Sequence, residues 1–155
     1  MMNDIRGLLA PEDVRIAVPA RCRRDLLAAL AAHAARSFDL DEATLLDKLS
    51  EREKLGSTGI GRGIALPHGK ADVDRVCGVL FALQRPIDFD AVDDSPVDIA
   101  FLLVAPEGDD AGHLKALSRV ARRLRVEEVA AGIRSARSAE AVHALFTQPD
   151  AAEAA

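Results

Sequence analysis

The residues able to do chemistry crowd into one stretch, Gly56 to Lys70, with the sequence GSTGIGRGIALPHGK. His68 follows Ile64-Ala65-Leu66, a run long enough for one short buried strand. Pro67 stands between them and brings no N–H to a ladder. Gly69 removes bulk beside the ring. An imidazole at a strand end, with the chain fixed on one side and space cleared on the other, suits an accessible nucleophile. The glycines at 56, 59, 61 and 63 leave backbone N–H groups that can cradle an anion. The chemistry suggested is a histidine that handles phosphate. A plainer alternative stands beside it: the glycines are turn residues and His68 caps a strand. Spacing alone leaves both open. Two nucleotide motifs are excluded. Gly56 to Gly61 begins like a P-loop, but Arg62-Gly63 replaces the required Lys-Ser/Thr. Gly59-Ile60-Gly61-Arg62-Gly63 lacks the third glycine of G-x-G-x-x-G at its place.

Two other side chains could join such a site. His113 falls in the first turn of an expected helix, where unpaired N–H groups and the positive dipole end gather. Its plain reading is a half-exposed polar residue near a helix start. Arg52 ends a helix that runs straight into the glycine stretch. It either stabilises that C-terminus, worth about 0.3–1 kcal/mol, or reaches an anion held by the loop. His33 and His143 lie on helices with no site signal near them and are read as structural. Cys22 and Cys77 have no C-x-x-C spacing and look like small hydrophobes of a reducing compartment.

The elements that must position these residues follow from pattern. Val14 to Val18 alternates and is β-branched at three positions, so it predicts a strand closed by Pro19. Arg21 to Arg36 carries a Leu26/Leu27/Leu30/Ala34 stripe and predicts a helix. Asp39-Leu40-Asp41-Glu42 has the D-x-x-E spacing of a capping box, and a second helix follows to Lys54. Lys70 to Arg75 reads as a charged turn. Val76 to Leu83 and Val97 to Ala105 are almost continuously apolar, which predicts strands buried on both faces with helices covering both sides. Asp109 and Asp110 before, and Arg122, Arg123 and Arg125 after, bracket a helix in the charge order its dipole favours. Its apolar seam is expected at Leu114, Leu117, Ala121 and Leu124. Glu127 to Arg134 and Ser138 to Phe146 predict two last helices, Ser138 being the cap.

The 155 residues suit one domain over 1–155, with a core over about 5–147, a short leader and a frayed tail over Asp150 to Ala155. The net charge of −5 argues against a nucleic-acid partner, which needs a broad basic face. No long apolar run follows a cationic start, and no stretch approaches a membrane span. Cytoplasmic localisation and no membrane insertion are expected.

Taken together, REKLGSTGIGRGIALPHGK, the strand PIDFDAVDDSPVDIAFLLVAPEG with its lead-in, and HLKALSRVARRL resemble the enzyme IIA domains of the phosphoenolpyruvate:sugar phosphotransferase system. The resemblance is to the fructose/mannitol class, and within it to nitrogen-regulatory IIA proteins. It implies an α/β fold: a three-layer α/β/α sandwich with a small mixed sheet covered by helices on both faces. It implies that His68 is the phosphoryl acceptor at its tele nitrogen. It implies that His113 and Arg52 stabilise the phosphoryl group. It implies no cofactor and no metal. The implied partners are an HPr-like phosphoryl donor, and regulatory targets or a IIB domain. A chain this short has no room for attached IIB or IIC units, which favours a regulatory phosphocarrier over a sugar-specific IIA component. A binding module that has lost phosphotransfer is the other class considered, and Arg52, His68 and His113 together argue against it. A metal-dependent hydrolase is disfavoured because no H-x-x-x-H or carboxylate cluster accompanies the two histidines.

Overall fold

The computed structural model describes residues 5–148. The tail expected to fray lies outside them. Two buried strands form the spine. β5 (Cys77–Ile87) and β6 (Val97–Pro106) pair antiparallel, with Leu80 opposite Phe101 and Ala82 opposite Ile99. Their apolar runs are sorted by the period of two. Val79, Phe81, Ala100, Leu102 and Val104 face one helical layer, while Leu80, Ala82, Ile99, Phe101 and Leu103 face the other. Burial on both faces is why neither strand alternates in hydrophobicity.

The remaining strands complete a mixed sheet. β1 (Val14–Val18) runs parallel to β5 on one side. On the far side of β6 lie β3 (Ile64–Ala65) and β4 (His68–Ala71), both parallel to β6, and β2 (Gly59–Gly61) lies antiparallel outside β3. β2 and β4 were not expected from the sequence. Three glycines near β2 and the polar run after His68 hide the strands, whose pairing comes from β3 and β6 rather than from their own propensity. The residues at 70–71, expected in a turn, extend the sheet edge instead.

Helices cover both faces. α1 (Arg23–Phe38) and α2 (Glu42–Lys54) pack on one side; α3 (Asp110–Leu124), α4 (Glu127–Ser135) and α5 (Ala139–Thr147) pack on the other. Asp41, not Asp39, caps α2, its carboxylate accepting the Thr44 N–H at 2.9 Å. Asp39 is spent on ending α1, with φ 56 in the left-handed region. Ser138 caps α5 as expected, accepting from the Ala141 N–H. The α3 seam is phased differently from the expectation. Ala116, Val120 and Leu124 are buried at i, i+4, i+8, which turns Leu114 outward, 71% exposed. His33 is structural: its Nε2 lies 2.9 Å from the Asp13 carboxylate, which also accepts the Ser37 hydroxyl. His143 Nε2–H donates to the Leu9 carbonyl at 2.9 Å, tying α5 to the segment before β1.

At Gly78 the Phe101 ring packs directly over the Cα, in the space a Cβ would take. Gly78→Ala should therefore overpack the α3–α5 side of the core and cost about 1–3 kcal/mol. Equilibrium denaturation of the two proteins measures this, with a lowered midpoint expected.

Candidate functional site

The segment before His68 is built first. The chain from Gly59 to Ala65 is a hairpin whose two-residue turn, Arg62-Gly63, has φ of 60 and 80. Positive φ at both central residues is the turn that matches strand twist, and glycine fits its second place. The expected anion cradle is not what these glycines form. Backbone donors of the segment are used internally: Thr58 N–H to Glu53, Gly59 N–H to Ser57 Oγ, Arg62 N–H to Asp93 and Leu66 N–H to the Thr58 carbonyl. The plainer reading of the glycines, as turn and strand residues, holds here.

His68 is then placed by the sheet. Ile64 sits opposite Ile99 and His68 opposite Leu103, so the pairing register is unchanged across Pro67. The Pro67 carbonyl keeps the ladder by accepting the Leu103 N–H at 3.0 Å, while proline supplies no N–H to β6 at this step. An unbroken register preserves parity, so positions 64, 66 and 68 share the face on which α3 packs. β6 ends at Pro106, and α3 starts almost at once, with Asp109 as its cap. His113 is thereby brought over the end of β4. The two rings meet with centroids 5.3 Å apart and planes at 72°.

The protons of this pair can be placed. His68 Nδ1 is 2.7 Å from the Leu66 carbonyl oxygen. A carbonyl only accepts, so Nδ1 carries the hydrogen and Nε2 keeps its lone pair. Burial lowers the proton affinity of His68; the Leu66 bond opposes this, and the nearby Arg52 charge reinforces it. Burial also lowers His113, followed by the charges of His68 and Lys70. Both rings are therefore neutral at pH 7, and a neutral imidazole nitrogen is the form that attacks phosphorus. His113 Nε2 is, among the described residues, the one buried side-chain polar atom with no hydrogen-bond partner. A buried orphan donor or acceptor costs about 1–3 kcal/mol, and this one lies beside His68.

Arg52 lies at the end of α2 as expected. Its Nη1 donates to the Gly56 carbonyl at 2.8 Å, which steadies the turn just past α2. Its charge also acts on His68. Glu53, which the sequence did not single out, anchors the same turn. It is 6% exposed, accepts the Thr58 N–H at 3.0 Å and also the Thr58 hydroxyl, and lies 3.8 Å from Arg23. An acidic residue five positions before a threonine was the only signal available. On the other flank Lys70 pairs with Asp110, and Lys48 donates to the Lys70 carbonyl at 2.7 Å and to Glu107 at 3.0 Å. The site is a shallow join between β4, the α2–β2 turn and the head of α3. Among the described residues no cluster of three His, Cys, Asp or Glu side chains could hold a metal.

Residues 8–148 match the family described as the phosphoenolpyruvate-dependent sugar phosphotransferase system, EIIA 2. The chain belongs to this family. It is similar to a nitrogen regulatory protein of Bradyrhizobium diazoefficiens, 42% identical over 97% of this chain and 99% of the relative. Its fold is similar to the crystal structure of nitrogen regulatory protein IIA-Ntr from Neisseria meningitidis, with TM-score 0.86, 31% identity, and coverage of 92% of this chain and 99% of that one. It also shares the fold of the Escherichia coli mannitol IIA enzyme, solved in complex with phosphorylated IIB, at TM-score 0.78, 18% identity and coverage of 92% and 100%. These matches place the chain with the nitrogen-regulatory branch of EIIA 2, whose relatives include sugar-specific components. No helix among the described residues is long and apolar enough to cross a membrane.

Two measurements follow for this EIIA 2 site. Both rings bind protons less tightly in the folded chain than the ordinary 6.5. Their neutral forms carry no penalty well above that value, and protonating them opposes folding as the pH falls through 6.5 toward the lower folded values. NMR titration should place both histidines below 6.5, and reactivity of His68 should fall at a lower pH than that of an unperturbed imidazole. A His68 titrating above 6.5 would contradict the neutral pair. Second, Glu53→Ala strands the buried Thr58 N–H, so it should lower stability by about 1–3 kcal/mol. Denaturant melts, with the Thr58 amide followed by hydrogen exchange, test it.

Proposed function

We propose that this chain is a regulatory phosphocarrier whose His68 accepts a phosphoryl group at Nε2 from the phosphohistidine of an HPr-like protein. The observation that carries this reading is the His68–His113 pair, with Nδ1–H of His68 tied to the Leu66 carbonyl. That bond holds the ring still and leaves the lone pair of Nε2 for phosphorus. In the transfer the donor's P–N bond breaks with its electron pair returning to the donor ring. The new bond uses the His68 Nε2 pair, and the proton stays on Nδ1, hydrogen-bonded to the Leu66 carbonyl. No general base is required in the site. The charge that arrives is close to two negative units. His113 Nε2, unpaired before transfer, becomes a donor to it, and Arg52 supplies a cation next to His68. Positioning and electrostatics of this kind carry most of phosphoryl transfer.

The donor surface is expected around the same join. Leu114, next to His113, is 71% exposed, and Leu55 and Val92 are exposed on segments that adjoin the Gly56 to Gly69 stretch. Exposed large apolar side chains beside a reactive ring suit a small transient contact. Leu114, together with Ile60 of the glycine stretch, is expected to contact the donor's apolar surface. The regulatory assignment leans on the 42% identical nitrogen regulatory protein. Downstream, the phosphorylation state of His68 would control target proteins. The mannitol IIA enzyme of the same fold instead meets a IIB protein.

The test is incubation with phosphoenolpyruvate, enzyme I and HPr or its nitrogen-branch paralogue. An acid-labile label should appear, and His68→Ala should abolish it. His113→Ala should still accept label but pass it on about 10²-fold more slowly, the usual loss for one oxyanion-stabilising donor. Arg52→Lys should also be slowed, because an ammonium cannot offer the planar fork a phosphate takes from guanidinium. Label persisting in His68→Ala would overturn the assignment. Wild-type rates in Arg52→Ala with a lowered melting point would return Arg52 to a purely structural role.

A further inference from the structure

The hairpin turn ahead of β3 and the end of α3 come together far from His68 and His113. A cleft of about 380 Å³ opens there between the Arg62-Gly63 turn, the end of α3 and the start of α4. Arg62, Arg125, Arg134 and Glu127 line it, over apolar side chains that include Leu124 and Ala130. A neighbouring cleft of about 420 Å³ shares Arg125 and adds Arg122. In a chain of net charge −5 this is a local concentration of guanidinium groups.

The cleft is built, not incidental to loose side chains. Arg134 Nε donates to both carboxylate oxygens of Asp98, at 2.9 and 3.0 Å, and its Nη2 donates to the Arg62 carbonyl at 2.6 Å. It packs so closely over Gly63 that a Cβ there would sit 2.7 Å from Nη2. The turn is thus clamped from outside. Arg62 is held in the left-handed region at φ 60, with its N–H on Asp93 at 3.0 Å. Its Nη1 donates to the Arg125 carbonyl at 3.4 Å, a neutral acceptor. Asp98 balances Arg134, but among the described residues no carboxylate forms an ion pair with Arg62, Arg122 or Arg125. The start of α4 adds its dipole, since its cap residue Val126 offers no side-chain acceptor. Glu127 is the one acidic side chain on the wall.

We propose that this cleft binds a small oxoanion-bearing molecule, a phosphate ester or a polycarboxylate, between Arg62 and Arg125. Guanidinium offers paired N–H donors in the spacing of such oxygens. The volume lies within the range of about 300–1,000 Å³ usual for small ligands, and the apolar floor would take the body of the molecule. The acidic balance of the chain as a whole fits a confined ligand better than a nucleic acid. Arg125, the C-cap of α3, follows His113 by twelve steps along the helix, about 18 Å at 1.5 Å each. An anion in the cleft is therefore distinguishable from one at the phosphoryl site.

Titrating the full chain with inorganic pyrophosphate, and separately with citrate, tests the proposal, with the Nε–Hε signals of Arg62, Arg125 and Arg134 followed by NMR. Saturating shifts at these groups are expected. Arg125→Gln should weaken binding at least tenfold, and so should Arg62→Asn, since asparagine tolerates positive φ. Both variants should keep the amide spectrum of the fold and accept phosphate on His68 at the unchanged rate. Tighter binding of pyrophosphate would assign phosphate esters, and tighter binding of citrate would assign carboxylates. Three results would overturn the proposal: shifts that rise linearly at every exposed arginine, saturation confined to His68 and His113, or undiminished binding by Arg125→Gln.

Discussion

The register of one broken edge strand against β6 decides most of what this chain can do. Ile64 and Ala65 pair with Ile99 and Ala100, and His68 to Ala71 pair with Leu103 to Pro106, with no slip across Pro67. A shift of one residue would turn His68 to the α2 face and leave His113 alone. The register is specified because Ile64 and Leu66 must be buried among the α3–α5 side chains. The core thus orients the His68 ring. Proline at 67 leaves the ladder one donor short at this step but keeps the carbonyl that accepts the Leu103 N–H.

Around that ring the chemistry depends on keeping protons and charges apart. His68 points its one N–H at a neutral carbonyl, so its orientation is bought without a carboxylate that would raise its proton affinity through contact. Glu53 is the nearest buried acid, and it is occupied by the Thr58 N–H and hydroxyl and by Arg23. It therefore acts as an anchor for the turn rather than as a base. Lys70 is paired with Asp110, and Arg52 rests on the Gly56 carbonyl. Under the proposed function such a site would suit phosphoryl transfer between imidazoles, because little must be deprotonated and a dianion must be received.

The same sheet edge has two ends, and they differ in character. At one end the segments carry neutral rings and exposed Leu114. At the other the hairpin turn is locked by Arg134 and Asp98 and is surrounded by guanidinium groups. The glycines divide accordingly. Gly63 allows both the positive φ of the turn and the close approach of Arg134, while Gly69 only clears space beside α2. Their density in the sequence reflects the packing of a hairpin more than a phosphate loop.

The sequence by itself determined the layered fold, because two apolar runs too long to alternate require cover on both faces, and helix stripes with Asp and Ser caps supply it. It also determined the candidate residues, since REK, GSTGIG and PHGK are local strings whose resemblance to EIIA 2 needs no geometry. Several features were decided only in three dimensions. β2 and β4 exist because neighbours pair with them, not because glycine and lysine favour strands. Leu114 turned outward because helix phase was set by Val120 and Leu124 meeting the sheet. Glu53 gained its role from a turn that returns Thr58 to it. The meeting of His68 with His113 depended on where β6 ends and α3 begins, a long-range fact of chain path. Local propensity and spacing can name two histidines, but only packing against a common strand can bring their rings within 5.3 Å.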